Sequence, residues 1–168
     1  MSDNLYDSAI PVFTQFLNAH SAILTKAEAH CEAKKIDPEA LLAARLFPDM
    51  LPFKRQVQLA CDFAKGAGAR LAGIPVPSFP DDEKTFSELA ARIGKTLDFL
   101  ATLKREQFAD AGARTVTLKI GGADMSFTGA VYLRHFVLAN FYFHLTTAYD
   151  ILRHSGLEIG KRDFMGRM

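Results

Sequence analysis

The chain has 168 residues, room for one domain with a sizeable core and little more. Hydrophobic residues make up 49% and charged residues 23%, the composition of an ordinary globular protein rather than a disordered one. The formal net charge is +1, with cations scattered among acids, so the massed positive field of a nucleic-acid or anionic-lipid binder is excluded.

The opening MSDNLYDSAIPVF lacks a basic n-region and a long apolar run, so a signal peptide is not expected. Phe13, Phe16, Leu17, His20, Leu24, Ala27 and Cys31 follow the three-and-four spacing of an amphipathic helix, predicted over Tyr6 to Lys34. Pro11 lies near its start, where an irregular turn costs little. Asp37-Pro38-Glu39 reads as an N-cap, a proline at the first helical position and an acid in the first turn. It opens a short helix over PEALLAARLF, which Pro48 and Pro52 break. The second long helix starts near Pro52, with Phe53, Val57, Ala60, Cys61, Ala64, Gly68 and Leu71 on one stripe. Its small residues permit close approach by a neighbour. GIPVPSFPDD (residues 73–82) carries three prolines and must be a loop. Extended, it covers about 30 Å, the length of a helix of roughly 20 residues. It can therefore run the length of a bundle and make the second and third long helices parallel.

Thr85-Phe-Ser-Glu88 fits a capping box, a hydroxyl at N-cap and a glutamate three residues on. The third long helix follows, striped by Phe86, Leu89, Ala90, Ile93, Leu97 and Leu100, and ends before Gly112. The period then becomes two: Val116, Leu118 and Ile120 alternate with Thr115, Thr117 and Lys119. Gly121-Gly122 turns the chain, and Met125 and Phe127 alternate again. This β-hairpin, over about 114–128, must lean on the bundle or on a partner subunit to be stable. The fourth long helix runs from about Gly129 to His154 and stops at Gly156, with Leu133, Phe136, Val137, Asn140, Phe141, His144, Ala148 and Ile151 on its stripe. The tail over about 157–168 is expected to be extended and packed by Leu157, Ile159 and Phe164. The whole is one domain (1–168), an all-α four-helix bundle with a small hairpin between the last two long helices. No apolar run reaches membrane-spanning length.

Asn140 and His144, four apart, face the core from one helix face. His20 and Gln56 lie on facing stripes and converge with them if their heights agree. Such a set could serve as a metal or small-ligand site. It reads better as a buried polar network in which Asn140 bonds His144, which in turn bonds a carbonyl or water. Arg45 and Asp49 form a second polar candidate at the mouth of the second long helix. The simpler reading is that Asp49 caps that helix and Arg45 ties the loop down by an ion pair. Cys31 and Cys61 sit on apolar stripes away from helix starts, so they read as inert core residues of a cytoplasmic protein without disulfides. Tyr132, Tyr142 and Tyr149 bridge core and surface. His30, His135 and His154 lie off the stripes and are expected to be exposed.

Four blocks carry a resemblance that covers most of the chain: LYDSAIPVFTQFL, ARLFPDMLPFKRQVQLACDFAKGAGARLAG, DDEKTFSELAARIGKTLDFL and VYLRHFVLANFYFHLTTAYDILRHSGLEIGKRDFMG. They resemble the family catalogued as domain of unknown function nineteen-ninety-three, a branch of the DinB/YfiT-like bundles. The chain departs from it at Leu138-Ala139-Asn140, where the family has Leu-Pro-Asn; loss of that proline is expected to straighten the helix. The resemblance implies an up-down-down-up bundle and no stated activity. The wider DinB-like group often holds a divalent metal with three histidines, two of them four apart on the last core helix. That pair falls on Asn140 and His144; the third ligand, on the second long helix, has no histidine counterpart, and Gln56 is the nearest polar residue. The expectation is therefore a small-ligand pocket near His144 and Asn140 without the three-histidine site. The alternatives are a transferase using zinc, nickel, manganese or iron bound by His144, or a homodimeric interaction module. Neither nucleic acid nor membrane is expected as a partner.

Overall fold

The computed structural model describes residues 4–167, so Met1–Asp3 and Met168 lie outside it. Helix α1 (Leu5–Lys34) begins with Asn4, whose side chain accepts from the Tyr6 amide. Pro11 sits inside α1 on its exposed side, two turns in, so the helix absorbs it without an irregular start. Every residue of the predicted α1 stripe is buried. Helix α2 (Pro38–Leu42) carries the Asp37 cap as expected, but it ends after five residues. The rest of the segment predicted as helix, Ala43 to Phe47, is turn and loop.

Helix α3 (Phe53–Ala72) buries its whole predicted stripe. Leu100 and Leu103 occupy the space beside Gly68, where a Cβ would lie 2.8 Å from Leu103 Cδ1, so the small residues do serve close packing. Helix α4 (Phe86–Ala101) opens with the capping box: Thr85 accepts from the Glu88 amide, and Glu88 accepts from the Thr85 amide. It ends well before Gly112, and a single 3-10 turn (Arg105–Phe108) follows. Phe53 packs on Phe86, ring centroids 5.9 Å apart, so α3 and α4 begin at the same end and the proline-rich loop returns the chain to that end.

Strands β1 (Thr115–Ile120) and β2 (Ala123–Thr128) pair antiparallel, with Ile120 opposite Ala123. The two-residue turn needs left-handed backbone at both Gly121 (φ 59) and Gly122 (φ 88), which glycine adopts freely. The hairpin rests on the bundle through Val116, which is buried, and Phe127, which packs on Tyr132 and Phe136.

The last long helical run has three parts: α5 (Gly129–Val131), a π-helical segment (Tyr132–Val137) and α6 (Leu138–His154). Alanine at 139 thus does not yield a regular helix, because the ladder is already widened one turn earlier. Gly156 (φ 95) closes α6 as read from the sequence. The tail is not extended throughout. Leu157 and Ile159 are buried, but Lys161–Met165 forms a short helix, α7, pinned to α1 by Lys26–Asp163 (2.6 Å) and by Gln15 donating to the Met165 carbonyl (2.8 Å). The fold is thus mostly helical with one small antiparallel hairpin, and α3 packs most extensively against α6 and α1 against α4.

Candidate functional site

Gln56 lies in the first turn of α3, and His144 lies midway along α6. The Gln56 amide nitrogen donates to the Leu51 carbonyl (2.9 Å). A carbonyl can only accept, so this bond fixes the amide orientation and turns Oε1 toward His144 Nδ1, 2.7 Å away. Oε1 also can only accept. Nδ1 therefore carries the hydrogen, and Nε2 of the neutral ring presents a bare lone pair. Burial, reinforced by the nearby Arg55 charge, holds the His144 pKa below its ordinary value, so the ring is neutral at pH 7. Phe63 stacks on the imidazole, centroids 5.6 Å apart and planes 18° from parallel. Nε2 has no protein partner among the described residues, yet it is not one of the solvent-sealed orphan atoms.

The other predicted members of the cluster go elsewhere. Asn140 does not bond His144. Its amide nitrogen donates to the Phe136 carbonyl at 2.7 Å, satisfying an acceptor in the widened π segment. His20 does not join it: the residue is fully buried, and among the described residues neither ring nitrogen has a partner. Its burial pushes the pKa down to about 4. Asp49 is exposed and does not cap α3, whose N-cap is Pro52 without a side-chain bond. Arg45 does tie the loop down, by donating to the Met50 carbonyl rather than by pairing with Asp49. Cys31 and Cys61 are buried, and burial pushes the Cys61 thiol up to about 12. His135 and His154 are exposed, whereas His30 is half-buried.

The largest polar cluster escaped the sequence reading. Arg92 of α4 is almost wholly buried and holds Asp62 (3.0 Å), Asp81 (2.9 Å), Glu83 (3.0 Å) and the Pro80 carbonyl (2.8 Å). Gln58 donates to Glu83, and Arg55 pairs with Asp81. Burial works against the Glu83 carboxylate, but the bonds from Arg92 and Gln58 outweigh it and hold its pKa below the usual range. These contacts clamp the proline-rich loop to α3 and α4. The signal was present: Arg92 lies three residues after Leu89 on a buried stripe, with Asp81, Asp82 and Glu83 a short way upstream.

With the geometry in view, a family model described as a domain of unknown function (DUF1993) matches residues 5–165. The chain belongs to that family. Its fold is shared with a crystal structure of a DinB family member protein from Shewanella denitrificans: TM-score 0.92 and 40% identity, over 98% of this chain and 93% of that one. Comparison with curated proteins finds no match.

The donor set of this DUF1993 chain does not fit the three-histidine metal site that the DinB-like resemblance implies. One position of the pair is an asparagine whose amide nitrogen serves Phe136. The α3 position is Gln56, whose only ligating atom, Oε1, is committed to His144 Nδ1. Among the described residues, no group of three His, Cys, Asp or Glu side chains is placed to hold a metal ion.

Proposed function

We propose that the protein is an up-down-down-up DinB-like bundle that binds a small organic ligand beside α6, with His144 Nε2 accepting a hydrogen bond from an O–H, N–H or S–H group. The observation that carries this reading is the relay from the Leu51 carbonyl through Gln56 to His144. It spends a buried glutamine on holding one tautomer of one ring. Asn140 Oδ1, one helical turn away on the same helix, supplies a second acceptor, and Phe63 an apolar floor. Phe53 on Phe86, Gln56 on His144 and Arg105 on Asp7 support the proposed helix order.

The test is native mass spectrometry on untagged protein purified without chelator, beside His144→Ala. An organic adduct present on the wild type and missing from the variant supports the reading. Near-stoichiometric metal that vanishes in the variant overturns it in favour of a metal-dependent enzyme. So does the absence of any effect on the His144 nitrogen signals when the protein is titrated with a panel of small alcohols, thiols and amides.

Phe47 and Phe143 are 63% and 55% exposed; Phe143 lies edge-on to the His144 ring, and Leu51, also exposed, carries the carbonyl that holds Gln56. That apolar surface favours a second reading, a homodimer closing over the site. Sedimentation velocity of the wild type against Phe47→Ser/Phe143→Ser tests it.

A further inference from the structure

Arg70 marks a second candidate place in the molecule. Arg55, Arg92 and Arg105 each have a carboxylate partner. Arg70 of α3, half-buried, has none among the described residues; its bond is to the neutral Tyr132 hydroxyl, at 3.1 Å. A guanidinium withdrawn from water is normally compensated by an opposite charge. Asp62, the nearby acid, is already held by Lys65 and Arg92, each at 3.0 Å. Gly66, one turn before Arg70, makes room for this arrangement: a Cβ there would stand 2.5 Å from Arg70 Nη1.

Arg70 lines a cavity of about 300 Å³ between α3, the hairpin and the π segment. The other walls are mostly apolar, Phe63, Phe136 and Tyr132 with Leu118 and Ile120 from β1, and they also include Lys119 and the Asp62 carboxylate, which Lys65 and Arg92 neutralise. Tyr132 and Phe136 come from the π segment, a device that recurs at functional sites. A second cavity, toward the proline-rich loop, shares Arg70 and Asp62 as walls. Because Arg70 donates to the Tyr132 oxygen, the hydroxyl hydrogen remains free for another acceptor. Arg70 keeps Nη2 and Nε as unused donors on one edge.

We propose that this cavity binds a small aromatic carboxylate, its anion held by Arg70 and the Tyr132 hydroxyl and its ring set among Phe63, Phe136 and Leu118. The cavity shares Phe63 with the His144 site, but neither His144 nor Gln56 is among the residues that line it. Fluorine NMR of the full chain with para-fluorobenzoate, and with the neutral para-fluorobenzamide, tests it. The carboxylate is expected to bind saturably, at least about tenfold tighter than the amide. Arg70→Met removes at least about tenfold of that affinity and leaves the amide unchanged, as expected for loss of charge-assisted bonds. Gly66→Ala, which keeps the charge but displaces the guanidinium, also weakens the carboxylate and covers the case in which Arg70→Met fails to fold. Equal affinity for the two probes, carboxylate binding that survives both variants, or no saturable carboxylate binding would overturn the proposal.

Discussion

Replacing His20 with leucine should make the protein more stable, and most of all in acid. His20 is sealed in the core, and neither ring nitrogen is bonded to any of the described residues. At neutral pH, His20→Leu removes two unsatisfied polar atoms and keeps a side chain of similar size, a gain of about 1–3 kcal/mol. The acid effect is larger and has a definite sign. The folded pKa is about 4 against an ordinary 6.5. Between those values the unfolded chain takes up the proton and the folded chain does not, so stability falls as pH falls through that window and is complete above it. At 1.36 kcal/mol per unit this amounts to about 3 kcal/mol lost by pH 4. His144, Glu83 and Asp163, whose pKa values are also lowered, add acid sensitivity of the same sign. They are present in both proteins and cancel in the difference. Urea unfolding of wild type and variant at pH 7 and close to pH 4 measures it, and the gap between them should widen by about 3 kcal/mol on acidification. A variant that is less stable at neutral pH, or whose pH dependence parallels the wild type, would refute the reasoning and point to a hidden partner for His20.

Arg92→Met should cost about 3 kcal/mol and expose the loop over residues 73–85 to protease before global unfolding, because Glu83 and the Pro80 carbonyl lose their main cation. Equal cleavage rates for variant and wild type would show that the loop is held by its prolines alone. Gln56→Leu should release the tautomer of His144, seen as a mixed population in nitrogen NMR; a single unchanged Nδ1–H tautomer would remove the relay argument. Gly129→Ala should destabilise by about 1–3 kcal/mol in thermal unfolding, since a Cβ there runs into the Ala111 carbonyl oxygen, which is backbone and cannot swing away.

The legible part of this fold lies within single elements. The stripes of α1 and α3, the Thr85–Glu88 capping box and the Gly121-Gly122 turn each rest on residues a few positions apart, so pattern alone reveals them. The presence of Gln56 and His144 on inward faces was legible too, but their bond was not. It depends on the relative height of two helices 88 residues apart in sequence. Arg92 and Asp62 are 30 residues apart, and an arginine on a buried stripe gives no sign of its partners. His20 misled because its place on the α1 stripe is the same whether or not anything meets it across the core. Asp49 looked like a cap by residue type, yet Pro52 starts the helix by fixing its own φ, with no side-chain bond.

The π segment left a trace that was easy to pass over. Leu133, Val137, Phe141 and Leu145 are all fully buried, at three successive steps of four residues. In a regular helix each such step overshoots the turn by about 40°, so the row would drift by roughly 120° and leave the core. The wide turn over Tyr132–Val137 takes up that drift and so works as a phase correction between the hairpin-bearing end and the His144 end. The chain is therefore sensitive here to residue count more than to residue type. Deleting one residue from this segment would close the wide turn into a regular one with its flanks still in phase, whereas inserting one, or deleting two, would swing Tyr132 about 100° around the axis relative to His144. Homologues that diverge freely in the side chains of this stretch should keep its length to within the one residue that the wide turn absorbs.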